Sequence, residues 1–135
     1  MQIVVSTQVN APLQAVWKAY TSPEDIMRWN TASADWHTTA AAVDLRVGGQ
    51  FSSRMEAKDG SFGFDFVGEY TRVVPLELIE YKFGDRKCLV EFAQDPQGVR
   101  VTVTFDAEND HSEEQQRQGW QAILNNFAHY LERHS

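Results

Sequence analysis

SEEQQRQGWQAILNNFAHYLER, residues 112–133, is the stretch that decides the fold. Trp120, Ile123, Leu124, Phe127, Tyr130 and Leu131 recur in steps of three and four, so a 3.6-residue helix places all six on one stripe. Ser112-Glu113-Glu114-Gln115 reads as a capping box, in which the serine hydroxyl and the glutamine amide each satisfy a free backbone N–H at the helix start. The pattern predicts one continuous helix from Ser112 to Arg133. A helix of about twenty residues is about 30 Å long, enough to cross a sheet of ordinary width. Gly119 stands inside it, where glycine costs about 1 kcal/mol relative to alanine, and so marks either a close contact or a needed space.

Upstream of that helix the chain alternates. Ile3, Val5, Thr7 and Val9 share one face of a first strand. Ala11-Pro12 ends it, with Pro12 suited to open a helix carrying Leu13, Val16, Trp17 and Tyr20. Ser22-Pro23 then restarts a second short helix, with Ser22 as N-cap, through Ile26, Met27 and Trp29. Strands are predicted over Trp36 to Ala42, Gln50 to Lys58, the run of Phe62, Phe64 and Phe66, Leu78 to Phe83, the run of Cys88, Val90 and Phe92, and Val99 to Phe105. Asp44 to Gly49, Asp59-Gly60, Gly84-Asp85 and Asp95 to Gly98 separate them as turns. Gly68 is expected to interrupt its strand as a bulge that changes the facing of Tyr70, and Pro75 to end the run.

Short connections make consecutive strands antiparallel neighbours. Alternation leaves one sheet face wet, and the apolar face needs a cover that the last helix alone is long enough to give. The expectation is a single α+β domain over residues 1–135: an antiparallel sheet, two short helices after strand 1, and a long C-terminal helix on the apolar face.

Composition narrows the function classes. The net charge of −7 lacks the basic footprint that nucleic acid or an anionic membrane surface requires. No segment approaches the ~20 apolar residues of a membrane span, and the N-terminus has no signal-like apolar run. Cys88 is the one cysteine, so no internal disulfide forms. Cytoplasmic location is the default expectation.

The chain resembles the START-like (SRPBCC) superfamily and, within it, homologues of the activator of heat-shock-protein-90 ATPase. The resemblance rests on Ala11-Pro12 with Val16-Trp17, the Pro23-to-Trp29 segment, Val47-Gly48-Gly49 with Phe51, Asp59-Gly60, Gly68 and Tyr70 followed by Pro75, and Gly119-Trp120 with Leu124 and Leu131. It covers essentially the whole chain. It implies a helix-grip fold, in which a curved sheet wraps the C-terminal helix, often around a cavity. It also implies lipid-, hormone- or polyketide-like ligands, cyclase or hydrolytic activity in some members, and a chaperone partner in others. The eukaryotic co-chaperone has extra sequence before this domain that this chain lacks, so the domain alone is implied rather than a full co-chaperone.

The residues offer no catalytic constellation. His37, His111, His129 and His134 have no metal-site spacing and no accompanying Cys or carboxylate cluster, so neither metal nor cofactor is expected. Gly48-Gly49 lacks the context of a phosphate loop. Cys88 falls at an inward strand position and reads as a small buried hydrophobe rather than a nucleophile. Asp35, His37 and Asp65 would serve acid–base chemistry only from within a cavity, and alternation turns Asp65 outward. The aromatic set is more informative. Trp36, Phe51, Met55, Phe64, Phe66, Tyr81, Phe92, Trp120, Leu124 and Phe127 all point toward the gap between sheet and helix. They either fill it, as close-packed interiors do, or line a pocket left where a curved sheet and a straight rod part. Trp120 itself is a candidate to fill it. A mouth is expected near the two short helices and Trp29. A small hydrophobic ligand is the expected partner, with a chaperone-type protein partner and a cyclase- or hydratase-type enzyme as alternatives.

Overall fold

In the computed structural model, which describes residues 1–134, the elements run β1 (Gln2–Val9), α1 (Leu13–Thr21), α2 (Pro23–Trp29), β2 (Trp36–Val43), β3 (Gln50–Ala57), β4 (Gly63–Val74), β5 (Leu78–Phe83), β6 (Arg86–Asp95), β7 (Gly98–Asp106) and α3 (Glu113–His134). The imidazole of His134, weighed above, lies outside the described residues, as does Ser135. The seven strands form one antiparallel sheet in the order β1-β7-β6-β5-β4-β3-β2, curled around α3. This is the α+β helix-grip architecture. No helix among the described residues is long and apolar enough to cross a membrane.

The capping box forms as the sequence implies. Gln115 N–H donates to Ser112 Oγ at 3.1 Å, and Ser112 N–H donates to Gln115 Oε1 at 3.2 Å. The helix then docks by its stripe. Phe127 is 0% exposed, and Leu124 and Leu131 are buried with it. Full burial of each such side chain is worth about 1.5–3 kcal/mol. The polar flank of α3 meets the free edge of β1: Arg117 donates to the carbonyl of Val4 at 3.1 Å and Gln121 to that of Ser6 at 2.9 Å. Tyr130 donates to Asp25 at 2.5 Å and Asn126 to the carbonyl of Thr31 at 2.6 Å, which pins α3 to α2 and the loop after it.

Ser22 is the N-cap of α2 with Pro23 next, as expected, although its side chain makes no capping bond. Two local expectations are corrected. Pro12 is the N-cap of α1, with ψ of 148°, rather than its first helical residue. Gly68 makes no bulge and Tyr70 keeps the facing of Phe64 and Phe66. The register shift lies after Tyr70, where Arg72 pairs with Glu80. Gly68 serves close approach instead: a Cβ there would sit 2.4 Å from the Phe51 ring. A second shift between Thr38 and Ala40 changes the inward set of β2 from Trp36 and Thr38 to Ala41 and Val43.

Across the sheet, Tyr70, Tyr81, Cys88, Phe105 and Ile3 pair in one continuous row on the inner face. All five are buried. Burial pushes the Cys88 thiol up to about 12, although a hydrogen bond from the Tyr81 hydroxyl works in the opposite direction. Burial likewise raises Tyr81 well above a phenol's usual value. Such a thiol is not a nucleophile at neutral pH.

Two outcomes follow from this core. Ser112→Ala should cost about 1 kcal/mol by loss of the cap, and Phe127→Ala about 3–5 kcal/mol by cavity formation. Urea denaturation measures both, and equal effects would contradict a helix held mainly by its stripe. The second outcome concerns alkali. Cys88 and Tyr81 have ordinary values of 9.0 and 10.0 and are raised in the fold. Above those values the unfolded chain sheds protons that the folded chain keeps, so this contribution is intact below about pH 9 and declines as pH rises. The urea midpoint should hold from pH 7 to 8 and fall from pH 9 upward, less steeply in Tyr81→Phe. A native chain should resist iodoacetamide at pH 8 until it is unfolded.

Candidate ligand cavity

Between α3 and strands β2 to β5 lies a cavity of about 550 Å³, partly open to solvent, within the range of small-molecule sites. Its origin lies in where α3 packs. The helix sits over β1 at one edge of the sheet and against α1 and α2. The inner faces of β3 and β4 are left to face open space rather than a helix. Trp36, Phe51, Met55, Phe64, Phe66 and Tyr81 line that space from the sheet, Trp29 from α2, and Trp120 and Leu124 from α3.

Phe92 and Phe127, expected in the lining, stand outside it. They are packed among the aromatic side chains of the short helices. Phe92 meets Trp17 at 5.2 Å and Tyr20 at 5.5 Å between ring centroids, and Phe127 meets Tyr20 at 5.1 Å and Trp29 at 4.8 Å. This cluster is the back wall of the cavity. Trp29 belongs to the wall rather than to a mouth: it is 5% exposed and its indole N–H donates to the carbonyl of Ala19 at 2.9 Å. The exposed members of the lining fall in three places. Ala32, Ser33 and Phe64 lie beside the loop that follows α2, and His111 and Gln115 lie at the start of α3, while Ala42 is exposed near the end of β2.

Trp120 does not fill the cavity. Its ring stacks on Phe105 at 4.0 Å and 10° between planes, which holds the indole flat against the sheet. Gly119, one residue earlier, also lines the cavity, and a Cβ there would meet nothing within 4 Å. Of its two expected roles, the glycine therefore leaves space and makes no close contact.

Several lining groups escaped the sequence reading. Tyr20, Tyr70 and Ser53 all border the cavity. Tyr70 and Ser53 shared the inward parity of Phe66 and Phe51, and that parity was the signal available for them. Burial raises both phenols. Tyr70 is pushed up to about 12, with the charge of Asp44 adding to the effect, and Tyr20 rises further, with Cys88 and Tyr70 adding. These hydroxyls remain neutral at physiological pH and are poorly matched to general acid–base work there, which needs values near the working pH.

The polar end is self-contained. Gln116, 8% exposed, donates to the carbonyls of Glu108 and His111 at 3.1 and 2.9 Å and accepts from Glu108 N–H at 2.8 Å. Arg86 lies over the Phe83 ring at 4.6 Å while its Nε donates to the carbonyl of Asp106 at 2.9 Å. His111 Nδ1 contacts Glu108 Oε1. Asp65 is outward, 3.6 Å from Arg54, and Asp35 and His37 do not reach the cavity lining. Among the described residues no three His, Cys, Asp or Glu side chains gather in a metal-binding cluster.

Known proteins place the chain. The AHSA1-like protein from Aeromonas hydrophila, solved by NMR, is 47% identical over 99% of this chain and 94% of its own, with a TM-score of 0.94. A protein from Cytophaga hutchinsonii is 42% identical over 98% and 92%, with a TM-score of 0.81. A third, from Chromobacterium violaceum, is 25% identical over 96% of each chain, with a TM-score of 0.85. No curated protein matches this sequence. The model of one family aligns with residues 10–132, from the end of β1 to the last turn of α3, and the chain therefore belongs to the Activator of Hsp90 ATPase homolog 1-like proteins.

Proposed function

We propose that this protein binds a small lipophilic ligand, non-covalently, in the cavity between α3 and strands β2 to β5. The observation that carries this reading is a space of about 550 Å³ walled by aromatic side chains. Interiors close on themselves unless something opposes closure. Here Gly119 withholds a side chain from the space, and the Trp120 stack on Phe105 keeps the largest available ring out of it.

The energetics set the affinity range. An apolar molecule entering the site gains about 25 cal/mol per Å² of buried apolar area. Association and ordering costs take back much of that gain. Micromolar binding is expected for a purely apolar ligand, and tighter binding requires polar groups that fix its orientation.

The family's name supports a second reading, a chaperone-type protein interaction. One surface observation favours it. Phe62, 62% exposed, and Phe64, 40% exposed, form an aromatic group with Trp36 at centroid distances of 6.0 to 6.3 Å on the β3–β4 hairpin side of the cavity. Exposed apolar clusters of this kind serve contacts with partners.

Titration with fatty acids, flavonoids and planar polyketide-like aromatics, followed by tryptophan fluorescence and amide shifts, separates the two. Ligand binding should perturb Gly119, Trp120 and Ile123 together with Phe51 and Tyr81, at micromolar midpoints. Gly119→Leu should remove those responses while leaving the fold at least as stable, since leucine favours helix more than glycine does. If no compound moves these amides, the ligand reading fails and the Phe62 surface becomes the site to examine.

A further inference from the structure

The cavity is apolar but not featureless. Tyr70 and Ser53 are 6% and 5% exposed, and no protein group accepts from either hydroxyl among the described residues. Tyr20, near the end of α1, is half-buried against the cavity and is equally without an acceptor among the described residues. Among the described residues, no buried side-chain oxygen sealed from accessible space is left without a partner. The three hydroxyls therefore keep their accessible surface, and the space they border is the cavity. Tyr81 differs, because its hydroxyl donates to the Cys88 thiol, a weak acceptor. Unpaired hydroxyls in an apolar wall are costly unless something satisfies them.

From this geometry we infer that the cavity has a donor subsite, formed by the Tyr20 and Tyr70 hydroxyls with Ser53 on the β3 wall, which selects a ligand carrying a neutral carbonyl over a carboxylate. The inference rests on the cavity being a ligand site. A carbonyl oxygen has two lone pairs and accepts from two hydroxyls at once. Burial keeps the Tyr20 and Tyr70 hydroxyls protonated and so available as donors, with Cys88 and Tyr70 adding to the effect at Tyr20 and Asp44 at Tyr70. A carboxylate seated between these hydroxyls would find a cation among the described lining residues only in Arg86, and an unpaired buried charge is disfavoured far more than a neutral dipole. The one guanidinium in the lining, Arg86, stands at the β5–β6 turn and is engaged with Asp106 and the Phe83 ring.

The test compares three probes of one shape: 9-fluorenone, fluorene and fluorene-9-carboxylate. Affinities are measured for the native chain and for Tyr20→Phe, Tyr70→Phe and Ser53→Ala. Fluorenone should bind about tenfold tighter than fluorene, the effect of one to two net hydrogen bonds. The carboxylate should bind no tighter than fluorene. Each tyrosine substitution should lower fluorenone affinity about three- to tenfold and leave fluorene within about twofold. The carbonyl stretch of bound fluorenone should lie below its position in hexane and return toward it in the tyrosine variants. Should a variant fold poorly, the comparison of probes on the native chain still decides. Equal binding of all three probes overturns the donor subsite and leaves the lipophilic site standing. Tightest binding of the carboxylate overturns the choice of a neutral acceptor. Binding of none overturns the subsite and the cavity reading together.

Discussion

Everything in this molecule depends on the mismatch between one helix and one sheet. Seven antiparallel strands at about 4.8 Å spacing extend roughly 29 Å from first to last, whereas an α-helix with its side chains is about 10–12 Å across. One helix cannot cover that inner face. The chain commits α3 to the β1 side, where Leu124, Phe127 and Leu131 are buried, and uses α1 and α2 to cover more. The uncovered remainder, over β3 and β4, is the cavity. It is a consequence of packing the rest well rather than a local defect.

That division also explains how much was legible beforehand. Strict alternation in β3, β6 and β7, the capping box at Ser112, and the three-and-four spacing of α3 each follow from backbone geometry, so the architecture could be read residue by residue. Alternation gives which way a side chain points, not what it meets. Phe92 and Phe66 both point inward, yet Trp17 and Tyr20 cover Phe92 while the cavity faces Phe66. The difference lies in where α1 docks, a tertiary fact with no local signature. The register shifts escaped for a related reason. Thr39 and Thr71 are ordinary strand residues, whereas Gly68, which carries the compositional mark of a bulge, answers to the Phe51 ring across the strand.

The site shows the same pattern. Its apolar lining was mostly visible, because large aromatic residues at inward positions are conspicuous. Its polar content was not. Tyr20 reads in the sequence as one more member of a helix face, and Ser53 as a small residue between Phe51 and Met55. What sets them apart is that no neighbour accepts from them, and the identity of neighbours is a property of the folded chain alone. Functional information here lies less in the residue types than in which polar groups the fold leaves unanswered.

The contact of α3 with β1 has a consequence for how these molecules behave in a crowd. A sheet that does not close has two rims, and a bare rim is a template on which another chain can add a strand. On the β1 rim, Arg117 and Gln121 already occupy the outward carbonyls of Val4 and Ser6. On the β2 rim the register shift after Thr38 breaks the ladder that an incoming strand would need to follow. The helix that shapes the cavity thus also blunts one rim against edge-to-edge aggregation, and a bulge blunts the other, so an open half-barrel can stay open to a ligand without being open to copies of itself.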